Sequence, residues 1–262
     1  MKKMREWNAS SVILGIVGAG MILGALILLV PVLLDYKGSE DTYDDLKENY
    51  VVVGTVEVLT DEENPNWWYE DVDIDLAGLK RENSEIVGWI LFDNIEVLSY
   101  PILYSGDDEK YLRADIYGNT TTAGCIFMEG ACTPDFQDSH TILYGHNMRN
   151  LSMFGSLKKF KTEDFYEDHQ YFTVYTDDMA YRYQVFAYCD VPETDSVYTV
   201  GFAPDDIFQK FIDTMIRRSY QDTEVTVSKD DKVMTLSTCS TEGYRFVVHG
   251  VRVDEHTYNT TN

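Results

Sequence analysis

Between Ser11 and Leu34 the sequence holds 24 consecutive residues without a charged side chain. Coiled as an α-helix rising about 1.5 Å per residue, such a run spans roughly 36 Å, enough to cross a hydrocarbon core with some tilt. A cleaved secretion signal is the competing reading, but its apolar core is usually only about 7–15 residues and ends at a small-residue cleavage site. Here the run continues through Leu26–Leu34, with Pro31 inside it and no such site after it. The expectation is an uncleaved signal anchor. Lys2, Lys3 and Arg5 precede the run and acids follow it, so the positive-inside rule leaves residues 1–10 in the cytoplasm and everything beyond residue 34 outside the cell membrane.

The charge distribution follows the same geography. The 262-residue chain has 21 Lys and Arg against 45 Asp and Glu, a formal net charge of −24. Such a chain repels phosphate backbones, which excludes nucleic acid as a partner. Residues 35–70 form an acidic segment with one proline, Pro65, and only Tyr50–Val53 and the pair Trp67–Trp68 as apolar attachment points. This composition predicts a solvated tether between membrane and body. Residues 71–256 then make one domain of ordinary size, with 257–262 as a short tail.

Within that domain the patterning is mainly β. Leu76, Leu79 and Ile86 repeat at near-helical spacing and Gly88 closes the segment, which predicts a short helix over 75–85 leading into a strand at Trp89–Phe92. Seven further runs rich in β-branched and aromatic residues follow, at 100–104, 124–128, 141–144, 171–175, 181–188, 232–238 and 245–253. Helical patches are expected at 153–159 and 204–218; in the second, Asp205 and Asp206 open the helix while Phe208, Phe211, Ile212 and Met215 share one face. Many short strands with few helices indicate a sandwich or a closed barrel.

The chemistry must come from a small inventory. Cys125, Cys132, Cys189 and Cys239 show no zinc spacing and the five histidines no H-E-x-x-H, so no metal is expected. Cys125 and Cys132 either form a disulfide across a loop or remain buried free thiols. Cys239 ends the run Val233–Cys239, and Arg245 begins the next run after the loop Ser240–Tyr244 with its Gly243. If these runs pair as a hairpin, Cys239 and Arg245 oppose one another, with Cβ atoms about 5 Å apart. A guanidinium there lowers the thiol's pKa and offers donors to an oxyanion. His146 follows the strand-like Ile142–Tyr144 and Gly145, so its imidazole should project from a strand end. Together the three residues supply nucleophile, acid/base and oxyanion donor, the set needed for acyl transfer. His140, His169 and His256 lie in polar stretches and are expected at the surface; His249 is expected to pack.

At these residues the chain resembles a known family. Leu236-Ser237-Thr238-Cys239 with Arg245, Tyr144-Gly145-His146-Asn147-Met148, and the following Met153–Phe160 resemble a class B sortase, over about residues 72–254. The resemblance implies a closed eight-stranded sortase-type β-barrel with an N-terminal helix and a long helix before the last two strands. It implies a cysteine transpeptidase that cleaves a C-terminal sorting signal of secreted proteins at a Thr-Gly or Thr-Asn type bond through a thioacyl enzyme. The product is joined to the amine of a peptidoglycan precursor or of a pilin Lys, without cofactor. Carried over, Cys239 is the nucleophile, His146 the acid/base and Arg245 the oxyanion or substrate clamp. Tyr144, Ser237, Thr238 and Asn147 are the substrate-binding candidates. The loop after Cys239 departs from the family: it is short, and Thr241 stands where an Asp is sometimes found. A membrane-anchored cysteine peptidase and a non-catalytic extracytoplasmic binding domain are the competing classes.

Overall fold

The computed structural model describes residues 9–53, 66–95, 97–162 and 164–258. The uncharged run lies inside helix α1 (Ala9–Tyr50), its large apolar side chains exposed from Ile13 to Leu34. The helix does not stop there. The expected tether is helical through Tyr50, and it lies against the body: Tyr43 and Leu46 are 4% and 1% exposed and belong to the main core. The half-buried and buried positions Asp35, Tyr36, Ser39, Thr42, Tyr43, Leu46, Lys47 and Tyr50 recur every three or four residues, one face of a helix. Asp41, Asp45 and Glu48 face away. An acidic composition that looks like a linker is therefore the solvated side of an amphipathic helix. The chain then forms β1 (Val51–Val53), helix α2 (Trp67–Glu70) and β2 (Val72–Ile74), with β1 and β2 antiparallel. The middle of the tether, residues 54–65, lies outside the described residues, as do the first eight residues and 259–262.

Helix α3 (Leu76–Glu82) starts where Asp75 caps it, its carboxylate accepting from Gly78 N at 2.7 Å. Then come β3 (Ile86–Phe92), β4 (Ser99–Leu103), β5 (Ile126–Met128), β6 (His140–Tyr144), β7 (Tyr171–Tyr175), β8 (Met179–Pro192), helix α4 (Asp206–Arg218), β9 (Val233–Cys239) and β10 (Tyr244–Thr257). The eight strands β3–β10 close a barrel in the order β10-β8-β7-β3-β4-β5-β6-β9. Closure leaves no unpaired edge. The fold is the mainly β barrel expected, with the long helix ahead of the last two strands. The patch after His146 is a 3₁₀ segment, Phe154–Lys161.

Two cores hold this together. The main one fills the barrel; the second lies between α4 and the outer faces of β8, β9 and β10. The register of β10 on β8 shifts between His249 and Gly250, opposite Ala187 and Val185, leaving Phe186 as an extra residue. A one-residue bulge reverses the alternation. Tyr181, Tyr183 and Val185 accordingly pack in the main core, whereas Ala187, Cys189 and Val191 pack under α4. The helix is capped by Asp205, which accepts from Ile207 N and Phe208 N, and it buries Phe208, Phe211, Ile212 and Met215.

Candidate active site

Strand pairing assembles the three candidate catalytic residues. Strands β6 and β9 run parallel, with Tyr144 beside Ser237, and Gly145 N donates to Ser237 O at 3.1 Å. His146 and Cys239 each lie two residues beyond that pair, so they emerge side by side from adjacent strand ends. On the other flank of β9, antiparallel β10 sets Arg245 opposite Cys239. The order across the barrel rim is thus His146, Cys239, Arg245. Gly145 permits the turn into His146: a Cβ there would lie 2.4 Å from Ile126 Cδ1 and 2.7 Å from the Phe154 ring.

Each member has defined partners. His146 Nε2 donates to the Leu112 carbonyl at 2.6 Å. Burial lowers its pKa, the Leu112 hydrogen bond opposes this, and the charge of Arg113 adds to the lowering. The ring is held neutral, and because a carbonyl only accepts, the hydrogen sits on Nε2 and the free lone pair on Nδ1. Cys239 is exposed, whereas Cys125, Cys132 and Cys189 are buried free thiols whose pKa values burial raises to about 12, 11 and 11. Cys125 and Cys132 are thus not joined. Arg245 Nη2 pairs with Glu193 at 3.0 Å, and its Nη1 donates to the Tyr244 carbonyl at 3.3 Å.

The substrate-binding candidates divide. Tyr144 lines an open cleft of about 470 Å³ with Arg245, Glu193, Thr194, Asp195 and Tyr198. Its hydroxyl donates to Glu129 at 2.5 Å. Ser237 and Thr238 are buried, 2% exposed each; the Ser237 hydroxyl meets that of Tyr198 at 3.0 Å. Asn147 Nδ2 donates to the Cys239 carbonyl at 2.7 Å, tying the turn after His146 to the candidate nucleophile's own peptide. The sequence reading missed Glu193 and Tyr198, which lie on the aperiodic connection between β8 and α4. It also missed a network on the opposite face of the hairpin: Lys161 Nζ bonds both Asp190 oxygens, at 2.8 and 2.6 Å, and Ser240 Oγ at 3.0 Å.

The remaining histidines are placed differently from expectation in one case. His169 and His256 are half-buried at the periphery, but His140 is 0% exposed, because β6 carries it under α4. His249 packs as expected, and a hydrogen-bonded chain joins the two: His140 Nδ1 donates to Thr199 O at 2.8 Å, and Thr235 Oγ1 lies 2.7 Å from His140 Nε2 and 2.8 Å from His249 Nδ1. Among the described residues no group of three His, Cys, Asp or Glu side chains converges as a metal site requires.

The fold agrees with comparisons to known proteins. The family described as Sortase domain matches residues 93–253. Sortase B of Listeria monocytogenes is 31% identical over 241 residues, covering 92% of this chain and 93% of that protein. Sortase B of Staphylococcus aureus is 32% identical over 170 residues, 65% of this chain and 69% of that protein. Among solved structures, sortase B from B. anthracis in complex with AAEK1 superposes with a TM-score of 0.71 at 30% identity, covering 85% of this chain and all of that one. With its barrel, the His146–Cys239–Arg245 rim and these relatives, the chain belongs to the sortase family of cysteine transpeptidases, and within it to class B.

Proposed function

We propose that the chain is anchored in the cell membrane by residues 11–34, with its barrel outside, and cleaves a C-terminal sorting signal of secreted proteins at a Thr-Gly or Thr-Asn type bond. The observation that carries this reading is the register across β6, β9 and β10, which flanks an exposed thiol with an imidazole and a guanidinium. His146 Nδ1 takes the proton of the Cys239 thiol and becomes the imidazolium, and the resulting thiolate Sγ attacks the Thr carbonyl carbon. The guanidinium of Arg245, ion-paired with Glu193 and donating from Nη1 to the Tyr244 carbonyl, holds the developing oxyanion with its remaining N–H donors. As the tetrahedral intermediate collapses, the C–N bond breaks and the imidazolium of His146 protonates the leaving amine, leaving a thioester on Cys239. An acceptor amine, its proton taken by His146 Nδ1, then attacks the thioester carbonyl; the C–S bond breaks and His146 returns the proton to the sulfur, restoring the thiol. The acceptor is an amine of a peptidoglycan precursor or of a pilin Lys.

The test uses a soluble fragment beginning at Asp35, so that the docked part of α1 is retained, with fluorogenic peptides of NPxTx, LPxTG and PPxTG type, with and without triglycine. Amine-dependent ligation of one peptide class is expected, lost in Cys239→Ala and His146→Ala. Cleavage that survives Cys239→Ala overturns the mechanism. Hydrolysis without ligated product at any amine concentration makes the protein a peptidase instead.

A further inference from the structure

Residues 35–50 contact the barrel along their whole length, and the contacts are ordered. The Asp35 carboxylate accepts from Thr122 N at 3.1 Å, Ser39 Oγ meets Thr121 Oγ1 at 2.6 Å, and Tyr43 OH donates to the Gly124 carbonyl at 2.6 Å. Lys47 Nζ lies 5.0 Å above the Tyr100 ring, and at the far end Tyr50 OH donates to Glu82 at 2.9 Å while its carbonyl accepts from Asp75 N at 2.9 Å. These residues follow the apolar run directly in the same unbroken helix, so the first contact comes one residue beyond Leu34.

We infer that α1 is a rigid strut that seats the barrel at the membrane surface, with its catalytic end toward the bilayer, so that the site serves reactants held at that surface. This rests on the membrane reading above. At about 1.5 Å per residue, the level of Ser39 to Tyr43 lies roughly 7–14 Å beyond the end of the apolar run, and that of Tyr50 about 24 Å beyond it. Asn150 and Ser152, on the turn that follows His146, line a small crevice of about 60 Å³ with Ser39 and Tyr43. Leu112, whose carbonyl holds His146, belongs to the segment that returns through Thr121 and Thr122 to α1. By contrast, the turn between β7 and β8 at Asp177 and Asp178 lies in the group of residues around Asp75 and Tyr258, at the level where α1 ends. Seating keeps the thioester of Cys239 close to the headgroups, within reach of an acceptor whose own anchor is in the bilayer. A floppy tether of the same length would let the barrel sample many heights and orientations.

The test is made on the full chain reconstituted in phosphatidylcholine vesicles, with Cys239→Ala as background and an environment-sensitive thiol probe on Asn150→Cys or on Asp178→Cys. Lipids carrying a headgroup quencher should quench the probe at 150 at least twofold more than the probe at 178. The difference should vanish when Gly-Ser-Gly-Ser is inserted between Gly38 and Ser39, and when Tyr43→Asp and Leu46→Asp are combined. The insertion lies outside both cores, so it keeps the test valid if the double variant misfolds. Equal quenching at 150 and 178 in the unmodified helix overturns the seating. Failure of the chain to float with the vesicles overturns the membrane reading instead.

Discussion

The imidazole of His146 is held neutral by its surroundings, and this has a measurable consequence. Burial is the larger cause of its lowered pKa and the charge of Arg113 a further one. The base proposed for the reaction is lost when protonated, so the acidic limb of kcat/KM should lie below the ordinary histidine pKa of about 6.5. Arg113→Gln removes one of the lowering causes and should move that limb upward; an unmoved limb shows that Arg113 does not act on the ring. The chain His140–Thr235–His249 makes a second prediction. Burial pushes His140 down to about 4 and His249 to about 3, so both are neutral. His140 Nδ1 must donate to Thr199, which makes Nε2 an acceptor for the Thr235 hydroxyl, and Thr235 then accepts from His249 Nδ1–H. Thr235→Val orphans two buried groups, at about 1–3 kcal/mol each. The sign of the pH dependence follows from linkage. Below about pH 6.5 the unfolded chain binds two protons that the folded one refuses, so stability is lost as pH falls from 6.5 toward 4, by up to about 2.7 kcal/mol per pH unit. Urea midpoints at pH 7, 6 and 5 measure it, and His249→Gln should halve the slope.

At the scale of elements, the segment 35–50 divides a tether from a docked helix by a single substitution. Leu46 is 1% exposed in the main core, and replacing a buried Leu by Ala costs about 2–5 kcal/mol, whereas in a solvated tether it costs almost nothing. In the fragment beginning at Asp35, Leu46→Ala should lower the Tm by several degrees and speed amide exchange over 39–50. An unchanged Tm would return the segment to a linker. The same segment shows what was legible and what was not. The strand runs and the helix at 204–218 carried their periodicity in strong apolar side chains, so they were readable within a few residues, as was the hairpin opposing Cys239 and Arg245. In 35–50 the buried face is made of Tyr36, Tyr43, Leu46 and Tyr50, spaced as a helix requires, but eight charged residues over the same stretch outweighed that pattern in composition. Glu193 and Tyr198 left no periodic trace because a connection positions them, and His140 read as surface because its neighbours Asp138 and Ser139 are polar while β6 carries its own side chain beneath α4.

For the whole molecule the question is what a net charge of −24 does. Part of it lies on the outer face of α1, away from the site, at Asp41, Asp45 and Glu48. Near Cys239 the charges are mixed, with Glu193 and Asp195 lining the cleft beside Arg245 and Glu129 bonded to Tyr144. Arg245 is already paired with Glu193, so an approaching acceptor meets the acids of the barrel as a long-range field rather than as a contact. Such a field concentrates cations at low salt and fades as the Debye length shrinks from about 10 Å at 0.1 M to about 3 Å at 1 M. The sign can be tested with three acceptors that share the reacting amine, Gly-Gly-Lys, Gly-Gly-Gln and Gly-Gly-Glu. Raising salt should slow ligation to the first several-fold, leave the second nearly level and speed the third. Parallel responses from all three would assign the acidity to solubility alone, and the choice of acceptor would then rest on the cleft and on where α1 holds it.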